Sequence, residues 1–238
     1  MLSREALQSR IDALARTAEP AVEPVFLPWP APPTPVGVLT GSFNPLTRAH
    51  AALAQAGRRA GLPGVLLAIS VHTIDKAEVT GLSLVNRLVI LQRFARRRHA
   101  LGVVAFSQGL YVQQAQALRR RWPGSQPVFL VGYDKIVQIL DPHYYDDREA
   151  ALRTFFSLAG LLVAPRAGAG PSELRALLER PENRPYAPFI TYLPLPPAAA
   201  RLSALSATQV RARAAAGEDL RGLVPRETID FLARKQVY

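Results

Sequence analysis

The chain has 238 residues, enough to bury a substantial core as one α/β domain with or without a small appendage. Hydrophobic residues make up 49% and charged residues 20%, which excludes intrinsic disorder, and no apolar run approaches the roughly 18 residues that a membrane span needs. There is no cysteine, so disulfides, zinc–thiolate sites and thiol nucleophiles are excluded, while the formal charge of +11 points to anionic partners.

Only three of the 29 basic residues are lysines. The basic stretches Arg96 to Arg98 and Arg119 to Arg121 close apolar-periodic segments, where helix C-termini favour cations, and no aromatic residues interleave them. Nucleic-acid binding is therefore not expected. A small phosphorylated substrate is, because arginine forks match phosphate oxygens. A soluble, cytoplasmic protein with no membrane partner fits this composition.

Residues 3 to 16 place Leu7, Ile11 and Leu14 on one stripe and read as an amphipathic helix, a docking or dimerising appendage that leaves a homo-oligomer open. Glu5 and Asp12 argue against a transit peptide, and no apolar h-region for secretion is present. Residues 20 to 35 are proline-dense and form an extended connector, which sets residues 1–35 apart from a domain at 36–238. From Val36 onward strand-like runs begin at 36, 64, 101, 127, 160 and 189, with amphipathic stretches at 46–60, 84–98, 110–121 and 146–156 between them. Such alternation predicts a Rossmann-like parallel sheet with helices on both faces, followed by a small C-terminal helical segment. Ligands bind such sheets beyond the carboxyl ends of the strands, so motifs that follow strands carry the functional weight.

The first such motif is Gly41-Ser42-Phe43-Asn44-Pro45, a tight turn after the strand Val36 to Thr40. Asn44 suits a helix N-cap and Pro45 the first helical position, so free amides and the positive dipole end would face the strand end as an anion site. Thr47 and His50, three apart, can both reach a phosphate there. The second motif is Leu205-Ser206-Ala207-Thr208-Gln209-Val210-Arg211, opening a helix that stops at Gly217. Ser206 with Gln209 forms a capping box, which leaves Thr208 and Arg211 unexplained. A hydroxyl and a guanidinium one turn apart suit β- and γ-phosphates and a departing pyrophosphate.

The first segment resembles the nucleotidyltransferase signature GxFxPxHxGH, in the form GSFNPxTxxH of its nicotinamide and nicotinate mononucleotide adenylyltransferase branch. The second resembles that family's ISSTxIR, with Leu205 for Ile and Ala207 removing one hydroxyl. The closing segment GEDLRGLVPRETIDFLARKQVY is similar to the family's tail, and the likeness spans about residues 36 to 238. It implies that His50 and Arg211 are catalytic, and that Gly41, Ser42, Phe43, Thr47, Lys76, Gly132, Asp134, Ser206 and Thr208 join them in binding ATP. In Gly132-Tyr133-Asp134 the aspartate would bond the adenosine ribose; it could otherwise cap a helix. Ser42, Phe43, Tyr111, Tyr144 and Arg166 would hold the pyridine mononucleotide, although the two tyrosines suit core or surface packing equally well. Arg87 lies in a helix similar to the family's RLxML helix and reads equally as an exposed salt-bridging residue, while His72 has no assignment.

The implied reaction is in-line attack by the mononucleotide phosphate on the α-phosphorus of ATP, with Mg2+-bound pyrophosphate leaving and no resident metal. The phosphate nucleophile is already ionised, so positioning and charge stabilisation suffice. No Gly-x-Ser-x-Gly elbow and no clustered metal ligands appear among His50, His72, His99 and His143. The alternatives are adenylyl or cytidylyl transfer to another phosphorylated acceptor, such as pantetheine phosphate or a flavin, or an inactive nucleotide-binding regulator. Amide versus acid preference on the pyridine stays open.

Overall fold

The computed structural model describes residues 2–72, 81–166 and 168–235. The first half contains α1 (Arg4–Ala15), β1 (Val22–Phe26), β2 (Val36–Thr40), α2 (Arg48–Arg59), β3 (Val65–Ser70), α3 (Leu84–Arg96), β4 (Leu101–Phe106) and α4 (Tyr111–Arg121). The second contains β5 (Pro127–Gly132), α5 (Tyr133–Leu140), α6 (Arg148–Leu158), β6 (Gly160–Ala164), α7 (Pro171–Glu179), β7 (Ile190–Tyr192), α8 (Pro197–Ala200), α9 (Ala207–Ala215) and α10 (Arg226–Lys235).

The strands form one sheet in the order β1-β4-β3-β2-β5-β6-β7. Every pairing is parallel except that of β1 with β4. β3 and β4 are buried along their whole length, as strands covered on both faces must be. Side chains alternate between two cores. Leu39, Leu67, Ile69 and Val103 pack with α1, α2, α3 and α10, whereas Val38, Leu66, Ala68 and Val104 pack with α4 to α7. This is the expected parallel α/β sheet with helices on both faces.

Residues 22–26, within the stretch read as a connector, add strand β1 to the sheet edge. Pro24 is tolerated there because only an edge strand can lack a ladder donor, and the register shifts between Pro24 and Phe26. The stripe of α1 is buried at Leu7, Ile11 and Leu14 against α3 and β1 of its own chain. Arg10 pairs with Glu23 and donates to the Pro24 carbonyl at 2.7 Å, and His72 Nε2 lies 3.0 Å from the Ala15 carbonyl, so the end of α1 is tied to the strand tops. No described helix is long and apolar enough to cross a membrane.

Candidate active site

From β2 the chain runs outward through β3 to β4, then returns to β5 and proceeds the other way to β7. β2 and β5 are therefore the neighbours at which strand order reverses, and ligands bind such sheets in the crevice above that point. The Gly41 turn leaves β2 there and Gly132 closes β5 beside it.

The helix after the first turn starts later than the sequence reading has it. Thr47 is the N-cap of α2, and Arg48 its first residue, in place of Asn44 and Pro45. Asn44 is buried and otherwise committed: its Oδ1 accepts from Leu82 N–H at 2.9 Å and its carbonyl from Arg211 Nη1 at 2.8 Å. Thr47 takes over the cap. It forms a capping box with His50, whose Nδ1 accepts the Thr47 N–H at 3.1 Å and lies 2.9 Å from Thr47 Oγ1.

That bond decides the state of the imidazole. A backbone amide can only donate, so Nδ1 carries the lone pair and the neutral ring holds its proton on Nε2. Desolvation, and secondarily the Arg166 charge, lower the pKa of His50 to about 4. At neutral pH His50 is an uncharged N–H donor, with the Phe43 ring 4.8 Å from its centroid. Phe43 is fully buried at φ +43, the left-handed region that a non-glycine residue adopts only under constraint.

The second motif caps α9 as expected, with Ser206 Oγ accepting from Gln209 N–H at 3.1 Å. Arg211 reaches from α9 to the Asn44 carbonyl while its Nη2 donates to Thr208 Oγ1 at 3.2 Å. The two phosphate motifs, more than 150 residues apart in sequence, are thereby joined by one guanidinium. Gly81, at φ +101, closes this junction: a Cβ there would lie 2.9 Å from Asn44 Oδ1 and 3.0 Å from Arg211 Cδ.

Across the crevice Arg166 Nε lies 3.2 Å from Asp134 Oδ1 and Arg166 Nη1 donates to the Ser203 carbonyl at 3.3 Å. Asp134 caps nothing, because Gly132 is the N-cap of α5 and makes no side-chain bond. A Cβ on Gly132 would meet Asp134 Oδ1 at 2.6 Å and Arg166 Cδ at 2.9 Å, so a glycine is required for both side chains to lie over the strand end. His50, Asp134 and Arg166 thus share one electrostatic neighbourhood.

No protein-family profile matches the chain. It is similar to a Bordetella pertussis protein named a probable nicotinate-nucleotide adenylyltransferase, 29% identical over 215 residues, which are 86% of this chain and 98% of that one. A Schizosaccharomyces pombe protein provisionally named nicotinamide mononucleotide adenylyltransferase is 26% identical over 136 residues; the match is 56% of this chain and spans about half, 53%, of that relative. The solved structure of Plasmodium falciparum nicotinic acid mononucleotide adenylyltransferase complexed with NaAD has the same fold, with a TM-score of 0.62 at 13% identity over 87% of this chain and 98% of that one. The names of the curated relatives support the nicotinamide/nicotinate mononucleotide adenylyltransferase family, and the solved structure shows its fold.

In this adenylyltransferase the other expected residues are less tightly gathered. The Tyr111 ring, partly buried at the start of α4, packs edge-on against Phe129 at 5.3 Å and Phe155 at 6.5 Å. Burial, with the Asp134 charge adding to it, holds its hydroxyl well above the usual range, so it stays protonated. The described contacts of Tyr144 are with His143 and with Gln138, whose amide donates to its hydroxyl at 2.7 Å. Neither tyrosine is brought against Phe43 or His50 by a described contact. Lys76 lies outside the described residues.

Two residues of the enzyme enter the site without having been singled out for it. Arg87 on α3 is buried and donates to the Ser42 carbonyl at 3.1 Å, which sets aside the exposed one of its two readings. Its signal was available, a guanidinium in the midst of the apolar run LVNRLVIL. Thr228 on α10 is fully buried and donates to the Leu46 carbonyl at 3.2 Å; nothing local in the sequence marks it.

Proposed function

We propose that the enzyme transfers the adenylyl group of ATP to nicotinate mononucleotide, giving deamido-NAD and pyrophosphate, with nicotinamide mononucleotide the poorer acceptor. The acid form is favoured because the relative aligned over nearly its whole length is named for nicotinate, whereas the one named for nicotinamide aligns over about half of its own. The observation that carries the reading is the Arg211–Asn44 bond, which draws two helix N-termini together above the reversal point of the sheet.

An oxygen of the mononucleotide 5′-phosphate attacks the α-phosphorus, and the bond from that phosphorus to the β-bridging oxygen breaks, so pyrophosphate departs with the electron pair. No proton need be removed from the nucleophile, and the protein supplies position and charge. His50 would donate its Nε2–H to the developing negative charge on the triphosphate, and Arg211 with Thr208 and the Ser206 end of α9 would hold the leaving pyrophosphate. The amides around Gly41, Ser42 and Phe43 would face phosphate, and Asp134 would take the ribose hydroxyls once Arg166 turns toward the second nucleotide. Magnesium is taken to arrive as MgATP, part of the substrate. We read the site of action as cytoplasmic.

Incubation with MgATP and each mononucleotide, followed by mass detection, tests this. Deamido-NAD should form about tenfold or more faster than NAD at equal acceptor concentration. Absence of either dinucleotide, or faster product from pantetheine phosphate or a flavin mononucleotide, would sink the assignment. ATP binding without turnover would mark a regulator.

A further inference from the structure

We propose that Arg87 and Thr228 are positioning residues that hold backbone carbonyls of the 41–47 turn off the anion-binding side. This rests on the reading of that turn as the triphosphate site.

Any loop that receives an anion faces a local conflict. Its amides attract the ligand, while its carbonyls, of opposite polarity, repel it unless they are turned away and satisfied elsewhere. In this turn three alternate carbonyls are satisfied from three different elements. Ser42 C=O accepts from Arg87 on α3 at 3.1 Å, Asn44 C=O from Arg211 on α9 at 2.8 Å, and Leu46 C=O from Thr228 on α10 at 3.2 Å. Arg87 and Thr228 are themselves buried, at 6% and 0% exposure, and so act as fixed parts of the protein interior rather than as ligand contacts.

Each anchor also sets the amide that follows it. The Ser42–Phe43 and Leu46–Thr47 peptides are trans, and in a trans peptide the N–H points opposite to the C=O. Drawing Ser42 C=O to Arg87 therefore turns Phe43 N–H to the other side, where among the described residues no acceptor meets it. The left-handed φ of Phe43 is the backbone strain that this orientation demands. Drawing Leu46 C=O to Thr228 turns Thr47 N–H to His50 Nδ1, and that bond puts the imidazole proton on Nε2. Thr228 thus acts on His50 through one peptide plane. Its position as the third residue of α10, far from the turn in sequence, makes the C-terminal helix part of the phosphate site.

The test compares Thr228→Val, which keeps the shape and removes the donor, with Thr228→Ser, which keeps the donor, alongside Arg87→Met and Arg87→Lys. Affinities for MgATP and for adenosine are measured by calorimetry, and the His50 tautomer by 15N NMR. Thr228→Val and Arg87→Met should each weaken MgATP by about tenfold, the value of one lost hydrogen bond to a fixed group, with adenosine changed less than about twofold. Thr228→Ser should restore MgATP affinity, and Thr228→Val alone should erode the Nε2–H tautomer of His50. Folded Thr228→Val protein with parental MgATP affinity and an unchanged tautomer overturns the proposal. So does an equal loss for MgATP and adenosine, which would mean a merely structural role. Should Arg87→Met fail to fold, the Thr228 pair decides. A parent chain that binds MgATP but makes no dinucleotide overturns the proposed function alone, since the affinity comparison still stands.

Discussion

A histidine whose Nδ1 accepts a backbone amide cannot be protonated there without breaking that bond, and His50 is also desolvated beside the Arg166 charge. Its folded pKa of about 4 lies below the ordinary 6.5. Between those values the unfolded chain binds a proton that the folded chain refuses, so the His50 contribution to stability is present above pH 6.5 and is lost as pH falls toward 4. Urea midpoints should drop between pH 7 and pH 5 by more in the parent than in His50→Asn. On activity, His50→Asn keeps an acceptor for the Thr47 amide and removes the Nε2–H, so turnover should fall by roughly 10²- to 10³-fold while KM for ATP moves little. A KM effect with unchanged kcat would assign His50 to ground-state binding instead. The motif marks His50 in the sequence, because Gly, Ser, Thr and His converge on one strand end. Its charge state is not legible there, since it depends on burial of the ring and on Arg166 lying nearby.

At the level of elements, periodicity located the helices and strands well, and it failed where a residue was needed for something else. Asn44-Pro45 has the composition of a helix start, yet α2 begins three residues on because Asn44 binds Leu82 and Arg211. Proline density likewise hid β1, since it excludes central strands and leaves edge strands open. Gly81 illustrates a requirement that only contacts between elements create. Its φ of +101 and the nearness of Asn44 and Arg211 leave no room for a Cβ. Gly81→Ala should cost about 1–3 kcal/mol in chemical denaturation and weaken ATP binding, because the residue would push on the bond that joins α9 to the turn. Unchanged stability would show that the 81–82 segment shifts freely and that the tether is not rigid.

For the whole molecule, a net charge of +11 acting on polyanionic substrates implies steering. The value of kcat/KM for ATP should fall several-fold between low salt and about 0.5 M salt, where the Debye length shrinks toward 4 Å, while kcat changes less. Equal osmolarity of sucrose should have no such effect; a salt-independent kcat/KM would assign the excess arginine to helix ends alone. The sequence by itself determined the fold class, through alternation of buried strands with amphipathic helices, and it determined the two phosphate motifs, because caps and turns are local and need no distant partner. Only the tertiary structure decided which strands are neighbours, and hence that Gly41 and Gly132 share one crevice. It also decided that Tyr111 packs against Phe129 and Phe155, that Asp134 meets Arg166, and that carbonyls 42, 44 and 46 are held from α3, α9 and α10. The physical reason is the same in each case: a polar group or ring is committed by whatever lies beside it once the chain has closed, and sequence spacing carries no record of that neighbour.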